Sequence, residues 1–363
     1  MMWLLWLACT SVSTETAVSS FDEADPWRGY DHTQEGPYQV GHMLLEHTYV
    51  PISDQAPRTI FIDVWYPSQD TSGEAAGYLY GIDEQAFAHA TPAESIYEGG
   101  YPVHVHSHGY RAWGASSSFL MRYFASHGWI AVAPNHTNNL LGDHQSPLPV
   151  SHFIHRPKDI QESLDVLSTL SFPDPVNSQR VLMSGHSFGA SYSTWSVSGA
   201  SYDNVEAICL EGAGLEDSSM RCSEAEAEIL RSRVLLDDRV VAAVPLAGTV
   251  RESWFGSEGY KSVHAPVLFV SGTEDGQSGN QAHFDTVEGI DFQWLSIAGG
   301  CHQSFATGAC DTLAPDIGFS IQQSYILAFA RQRVLSDNGP EITALLNGEE
   351  RPFADAYIQI KER

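Results

Sequence analysis

The strongest constraint on the fold is the alternation of short apolar strands with helical segments that begins near Tyr101. Apolar strands that are joined by helices form parallel sheets, which the helices cover on both faces. Expected strands are 103–107, 130–133, 180–184, 240–246, 266–271 and 293–297, and expected helices are 116–127, 160–170 and 321–334. Upstream, 38–45 and 59–67 have the pattern of two neighbouring antiparallel strands. The predicted fold class is α/β, with a mostly parallel, doubly wound sheet flanked by helices.

The predicted domain organisation is a single α/β domain with surface insertions. The chain has 363 residues, which such a domain can accommodate. We expect 1–20 to be an export signal and a polar tether, and 21–363 to form the domain. Two segments interrupt the sheet pattern: 68–100 is acidic and glycine-rich, and 203–238 contains two cysteines. Because long surface segments often carry function, we expect 68–100 to border a binding cleft.

The charge balance excludes one large class of partner. The chain has 18 Lys and Arg against 45 Asp and Glu, which gives a formal net charge of −27. A protein that binds nucleic acid needs a basic face to neutralise phosphates, so no nucleic-acid partner is expected. Hydrophobic residues make up 43% of the chain, which is ample for a packed core and disfavours disorder.

The cysteines and the N-terminus indicate an exported protein. An apolar run that is too short to span a bilayer ends at Cys9, as in a short export signal, although no Lys or Arg precedes it. Cys9 is the candidate site for a lipid that would tether the protein to a membrane. The other four cysteines would pair as sequence neighbours, Cys209 with Cys222 and Cys301 with Cys310. Such disulfides indicate a periplasmic or extracellular location.

A candidate nucleophile lies in the motif Gly185-His186-Ser187-Phe188-Gly189. The motif follows the predicted strand 180–184 and precedes a helical segment. A sharp turn from a strand to a helix needs small residues on either side of the serine, whose hydroxyl then stands exposed above the sheet. This context, more than the motif alone, predicts that Ser187 is a catalytic nucleophile.

A base and an acid follow the serine in the order that such sites use. A serine hydroxyl is a weak nucleophile until a histidine removes its proton, and a carboxylate must orient that histidine. Asp275 comes just after the predicted strand 266–271, and His302 lies in a glycine-containing loop after 293–297. We therefore predict that Asp275 is the acid and that His302 is the base.

Two backbone N–H groups are candidates for stabilising the oxyanion of a tetrahedral intermediate. One belongs to Phe188, immediately after the nucleophile. The other belongs to Tyr110, in the His108-Gly109-Tyr110 loop that follows the strand 103–107. Glycine allows the backbone of this loop to approach a substrate closely.

These motifs resemble those of the platelet-activating-factor acetylhydrolase and predicted dienelactone hydrolase branch of the α/β-hydrolases. The resemblance covers about residues 36–335 and rests on 108–110, 124–136, 185–189 and 302–305, with support from 63–67 and from Arg156-Pro157. It implies metal-free hydrolysis of carboxylic esters with short or oxidised acyl chains. Polyester-degrading hydrolases are more distant relatives.

The resemblance also raises a second candidate for the acid. In the animal acetylhydrolases the acid follows the strand that comes next after the nucleophile helix, where this chain has Glu211. The strand 240–246 has the pattern of the true next strand, and 203–238 that of an insertion. We therefore favour Asp275 and keep Glu211 as the alternative.

Several other side chains have the residue types of metal ligands. His104, His106 and His108 occupy every second position, so on a strand their side chains would share one face of the sheet. There they could bind the zinc ion of a zinc-dependent hydrolase. Asp143 and His144 lie in a polar loop where they could bind calcium. We expect ordinary sheet and loop roles for these residues, and we predict no metal and no cofactor.

The sequence thus predicts a serine-dependent carboxylic ester hydrolase for short acyl esters, with phospholipid-derived esters among the candidates. The expected partner is a small-molecule or lipid ester, and the oligomeric state is left open. Alternatives are a polyester or xenobiotic esterase, an acyltransferase or peptidase with the same triad, and a hydrolase-fold binding protein without catalysis.

Overall fold

A computed structural model describes residues 25–54, 56–209, 221–276 and 280–361. The predicted signal and tether with Cys9, and the alternative acid Glu211, lie outside these residues. The strands are β1 (Gln39–Tyr49), β2 (Arg58–Ser68), β3 (Ala75–Tyr78), β4 (Gly81–Ala88), β5 (Tyr101–Ser107), β6 (Ile130–Asn135), β7 (Val176–His186), β8 (Val240–Leu246), β9 (Val267–Gly272), β10 (Phe292–Ile297) and β11 (Ala356–Lys361). The α-helices are α1 (Ser118–Ser126), α2 (His152–Leu167), α3 (Trp195–Val197), α4 (Val205–Ala207), α5 (Glu224–Arg231), α6 (Glu252–Phe255), α7 (Asn280–Thr286), α8 (Pro315–Val334) and α9 (Pro340–Leu346).

The described strands form one sheet in the order β11-β10-β9-β8-β7-β5-β6-β2-β1-β4-β3. The six strands from β10 to β6 in this order run parallel to their neighbours. The strand β2 pairs antiparallel with both β6 and β1, as expected for the N-terminal edge. At the opposite edge, β11 pairs antiparallel with β10. The predicted α/β class and its mostly parallel sheet are confirmed.

Helices cover both faces of this sheet because successive side chains of each strand point to opposite sides. Val103 and Val105 of β5 belong to a buried cluster with Ile160 and Leu164 of α2. His104, between the two valines, contacts Phe124 of α1 instead, with ring centroids 4.3 Å apart. The strand is therefore buried on both sides, including at its histidines.

The two predicted insertions have different structures. Within 68–100, β3 and β4 form a hairpin that extends the sheet, because β4 pairs parallel with β1. The sequence analysis did not predict this hairpin. Of 203–238, the described part contains α4 and α5, and a disulfide joins Cys209 to Cys222. Within the described ranges, the longest and most apolar helices still fall short of what is needed to cross a membrane.

Candidate active site

Ser187 lies at a sharp turn between β7 and a π-helical turn, Gly189–Thr194. Its backbone has a φ of 53°, which is unusual for a residue with a side chain and costs conformational energy. The flanking glycines make this turn sterically accessible. A Cβ atom at Gly185 would lie 2.6 Å from the backbone carbon of Gly189, and one at Gly189 would collide with the carbonyl of Ser107. The motif therefore forms the predicted turn and presents the serine hydroxyl above the sheet.

The structure brings Ser187, His302 and Asp275 together. The Nε2 atom of His302 lies 2.9 Å from the Ser187 hydroxyl oxygen. Its Nδ1 atom lies 3.1 Å and 3.2 Å from the two carboxylate oxygens of Asp275. The Asp275 carboxylate is fully buried, whereas the His302 side chain keeps 15% exposure. A carboxylate can only accept from Nδ1–H here, so Nε2 is the acceptor for the serine proton.

The short helical turn that carries the base, His302–Phe305, is anchored on several sides. The backbone N–H of Thr307 donates to the Ser116 carbonyl at 2.8 Å, and the Ser117 hydroxyl donates to the Phe305 carbonyl at 3.0 Å. A disulfide joins Cys301 to Cys310, as the spacing of the cysteines predicted. Both predicted disulfides are thus present.

The sequence analysis did not identify His186 as part of this site. Its Nε2 atom lies 3.0 Å from the main-chain carbonyl of His302, so Nε2–H donates to the residue that carries the base. Burial, and then the neighbouring His302 ring, lower the pKa of His186 to about 4. His186 is therefore neutral at neutral pH and holds the backbone of His302.

The loop His108-Gly109-Tyr110 faces the nucleophile, as expected for an oxyanion loop. The backbone N–H of His136 donates to Nε2 of His108 at 3.1 Å, which leaves the proton on Nδ1. That Nδ1–H donates to the Gly109 carbonyl at 2.7 Å. The Gly109 carbonyl, which also accepts the Ala112 N–H at 3.2 Å, belongs to the same peptide as the Tyr110 N–H. The imidazole and the Ala112 N–H together therefore fix the direction of this candidate oxyanion donor. Burial keeps the pKa of His108 well below its ordinary value.

Arg156 of α2 connects this loop with the residue after the nucleophile. The Arg156 side chain is fully buried and donates to the Ser107 hydroxyl at 3.0 Å and to the His108 carbonyl. Its guanidinium also lies over the Phe188 ring, 4.6 Å from the centroid. Burial lowers the pKa of Arg156 to about 9, so it remains a cation at neutral pH. The arginine therefore packs against both segments that carry the candidate oxyanion donors.

A cavity of about 250 Å³ opens above these residues. Its lining comes from 109–113, from Ser116, from His186 and Ser187, and from 302, 303 and 306–308. Tyr110 and Trp113 supply aromatic surface at the cavity wall.

The chain is similar to one protein family and to a solved esterase structure. A family model described as chlorophyllase matches residues 85–209, which include the oxyanion loop and the nucleophile but not Asp275 or His302. The solved structure of a ferulic acid esterase from Streptomyces cinnamoneus superposes with a TM-score of 0.59 at 19% sequence identity. The superposition covers 91% of this chain and 97% of that one. No curated protein sequence gives a significant match.

The chain has the α/β-hydrolase fold. The superposition spans nearly the whole chain, and the sheet order and the Ser187 turn are those of this fold. The chlorophyllase match lies within the same α/β unit. The predicted α/β-hydrolase fold is thereby confirmed, whereas the acetylhydrolase branch stays a prediction.

A buried polar cluster, which was not predicted from the sequence, supports the candidate oxyanion loop. The Asp159 carboxylate accepts from Arg58 at 2.7 Å and 2.8 Å and from the Tyr49 hydroxyl at 2.6 Å. His136 bridges Asp159 and the Ser107 hydroxyl, at 2.8 Å and 3.0 Å. The cationic Arg58 outweighs burial and holds the pKa of Asp159 far below its ordinary value.

The alternating histidines of β5 have hydrogen-bonding roles. His104 and His106 share the Ser184 hydroxyl, at 2.7 Å and 2.8 Å. Burial lowers the pKa of His104 to about 3. Across the described part of the chain, no group of three or more His, Cys, Asp or Glu side chains is arranged to hold a metal ion.

Asp143 and His144 belong to a loop that folds back on itself beside the cleft. The Asp143 carboxylate accepts the Asn138 N–H at 3.2 Å, and His144 forms an isolated β-bridge with Asn139. In the same loop, the N–H of Gly142 donates to the hydroxyl of Tyr80 at 3.0 Å. These contacts place the loop against the β3–β4 hairpin.

Proposed function

We propose that this α/β-hydrolase is a serine-dependent carboxylic ester hydrolase that acts on esters with short acyl chains. The observation that carries the proposal is the continuous chain of contacts from the Ser187 hydroxyl through His302 to Asp275. The family model named chlorophyllase and the structural neighbour named an esterase both support ester hydrolysis in general. The short acyl chain is our own inference and rests on the sequence resemblance.

In the first half of the proposed reaction, the Ser187 hydroxyl attacks the ester carbonyl carbon. His302 takes the serine proton on Nε2, and Asp275 stabilises the imidazolium through Nδ1–H. The carbonyl oxygen becomes an oxyanion that accepts from the N–H groups of Phe188 and Tyr110. When the carbon–oxygen bond to the alcohol breaks, Nε2–H of His302 gives its proton to the leaving alkoxide.

In the second half, water replaces the alcohol. His302 removes a proton from the water, whose oxygen attacks the acyl carbon of the ester on Ser187. Collapse of this second tetrahedral intermediate returns the proton to the Ser187 oxygen and releases the acid. Neither half requires a group beyond the chain and the substrates.

We also propose that the protein works outside the cytoplasm. The two disulfides support an oxidising compartment. The lipid tether at Cys9 rests on the sequence pattern alone and stays a prediction.

The test is hydrolysis of p-nitrophenyl esters from acetate to palmitate, with Ser187→Ala as the matched inactive variant. The proposal predicts that only the wild type cleaves the esters and that kcat/KM is highest for acetate or butyrate. A maximum at long chains would contradict the short-chain assignment. Equal hydrolysis by Ser187→Ala would contradict the mechanism.

A further inference from the structure

A second cavity adjoins the one above the serine. Its volume is about 220 Å³, and it shares Trp113 and Thr307 with the catalytic cavity. The two spaces therefore lie on either side of the same two residues. A substrate group that passes Trp113 would enter the second cavity from the catalytic one.

The wall of the second cavity is aromatic. The β3–β4 hairpin contributes Tyr78 and Tyr80, and Trp113 follows the oxyanion loop. The rings of Tyr80 and Trp113 contact each other in a T-shaped arrangement with centroids 5.6 Å apart. Tyr80 nevertheless keeps 38% exposure, so much of its surface faces solvent.

The Tyr80 ring is held in place from the opposite side of the cleft. Its hydroxyl accepts the backbone N–H of Gly142 at 3.0 Å, from the loop that follows β6. A ring that is fixed at both its face and its hydroxyl loses little freedom when a ligand packs against it. Tyr80 is thus suited to act as a rigid contact surface.

Asp83 and Arg122 add polar groups to the lining of the second cavity. Arg122 of α1 donates to the carboxylate of Asp83 and to the side chain of Gln85. The Tyr78 hydroxyl donates to Asp83 at 2.7 Å. An aromatic wall with polar groups in the lining matches a planar ring that carries polar substituents better than it matches a purely aliphatic chain.

The position of the base indicates which half of an ester enters this cavity. His302 must give its proton to the leaving alkoxide, so the alcohol departs on the side of His302. Thr307 lies five residues further along the same anchored segment and lines both cavities. Because Thr307 lies on the segment of His302, this shared lining favours the alcohol part of the ester, rather than the acyl part, as the group that reaches the second cavity.

We infer that the cavity between Trp113 and the β3–β4 hairpin is a subsite for an aromatic ring in the alcohol part of the ester. This inference rests on the proposed function and adds the class of alcohol to it. The Tyr80–Trp113 contact then serves substrate binding as well as the packing of the hairpin.

The experiment compares three acetate esters: 2-phenylethyl acetate, 2-cyclohexylethyl acetate and n-butyl acetate. All three form the same acetyl-enzyme, so differences in kcat/KM report the alcohol alone. We expect wild type to prefer the phenyl over the cyclohexyl ester. Tyr80→Ala should lower this preference by about 3- to 10-fold, the range that one aromatic contact supports. Tyr357→Ala is the matched control, since Tyr357 is an exposed tyrosine (47%) on β11, and should keep the wild-type preference.

The reversed ester, ethyl 3-phenylpropanoate, checks the orientation because it carries the ring on the acyl side. Tyr80→Ala should lower kcat/KM for 2-phenylethyl acetate and leave kcat/KM for ethyl 3-phenylpropanoate unchanged, and the opposite pattern would place the ring on the acyl side and overturn the inference. An unchanged phenyl preference in Tyr80→Ala, with all esters cleaved, would overturn the subsite but leave the ester hydrolase intact. Failure of wild type to cleave any ester would overturn the proposed function and the subsite together.

Discussion

The Nδ1–H group of His108 donates to the carbonyl of Gly109, 2.7 Å away, and so orients the peptide whose N–H belongs to Tyr110. The direction of this hydrogen bond is determined by the backbone, because the other ring nitrogen accepts from the N–H of His136. A candidate oxyanion donor is thus positioned by a neutral, buried histidine before any substrate arrives.

We expect His108→Ala to lower kcat by about 10- to 100-fold with a much smaller change in KM, because the Tyr110 N–H loses one of the two contacts that fix its direction. The measurement is steady-state hydrolysis of p-nitrophenyl acetate. His127→Gln is the matched control, since His127 is equally buried but contacts the Gln34 carbonyl, away from the site. Equal losses of kcat in both variants would show that His108 acts only through stability.

Asp275→Asn should lower kcat by about 10³- to 10⁴-fold, because an amide would favour the wrong tautomer of His302. Glu211→Gln should leave kcat within about twofold of wild type, as expected for a residue outside the triad. The comparison uses the same ester for both variants. The reverse pattern would assign the acid to Glu211.

The free energy of unfolding should depend steeply on pH, because several histidines are buried. Burial lowers the pKa values of His104, His136 and His283 to about 3 and that of His186 to about 4. In the unfolded chain each binds a proton near pH 6.5, so unfolding takes up protons below that pH. The free energy of unfolding therefore falls as pH decreases from about 6.5 towards 4, by up to about 1.4 kcal/mol per pH unit for each histidine.

The contribution of a single buried histidine to this pH dependence can be measured at His283. Its ring contacts Phe269 and Phe292, and its Nε2 atom has no hydrogen-bond partner within the described residues. His283→Phe should reduce the pH slope of the unfolding free energy, measured in urea between pH 5.5 and 7.5. An unchanged slope would mean that His283 is protonated in the folded protein.

Removing the Cys301–Cys310 disulfide, which adjoins His302, should lower both the free energy of unfolding and kcat. Cys301 and Cys310 close a loop with a sequence separation of 9, for which loop entropy predicts a loss of about 2–3 kcal/mol. The double variant Cys301→Ser/Cys310→Ser should also lower kcat, because this disulfide adjoins the turn of His302. Thermal melting and ester hydrolysis measure the two effects. Unchanged melting would show that the bridge has no stabilising role.

Most of the central sheet could be predicted from the sequence because its strands are buried on both faces. β9, for example, is buried throughout, and four of its six residues are Val, Leu or Phe. The hairpin of β3 and β4 was missed because its residues are of mixed polarity and its partner β1 is distant in sequence. The C-terminal β11 was missed for a similar reason, since it is an edge strand with exposed residues.

The proximity of Ser187, Asp275 and His302 was predictable because each follows a strand end with a recognisable local pattern. The residues that support the candidate oxyanion loop were harder to predict. Charged residues in a helix, such as Arg156 and Asp159, usually lie on its solvent-exposed face. A signal did exist: Arg156 lies four and eight residues before the buried Ile160 and Leu164, on the same side of α2. A charged residue on an apolar helical face indicates a buried polar contact, here with the oxyanion loop.

The most direct test of the account is the site of covalent labelling by a fluorophosphonate probe. The probe reacts with serines that a neighbouring base activates, and digestion followed by mass spectrometry locates the adduct. The account predicts one adduct, on Ser187, that disappears in Ser187→Ala and becomes much slower in His302→Ala. Labelling that persists in Ser187→Ala, or is absent from folded wild type, would contradict it.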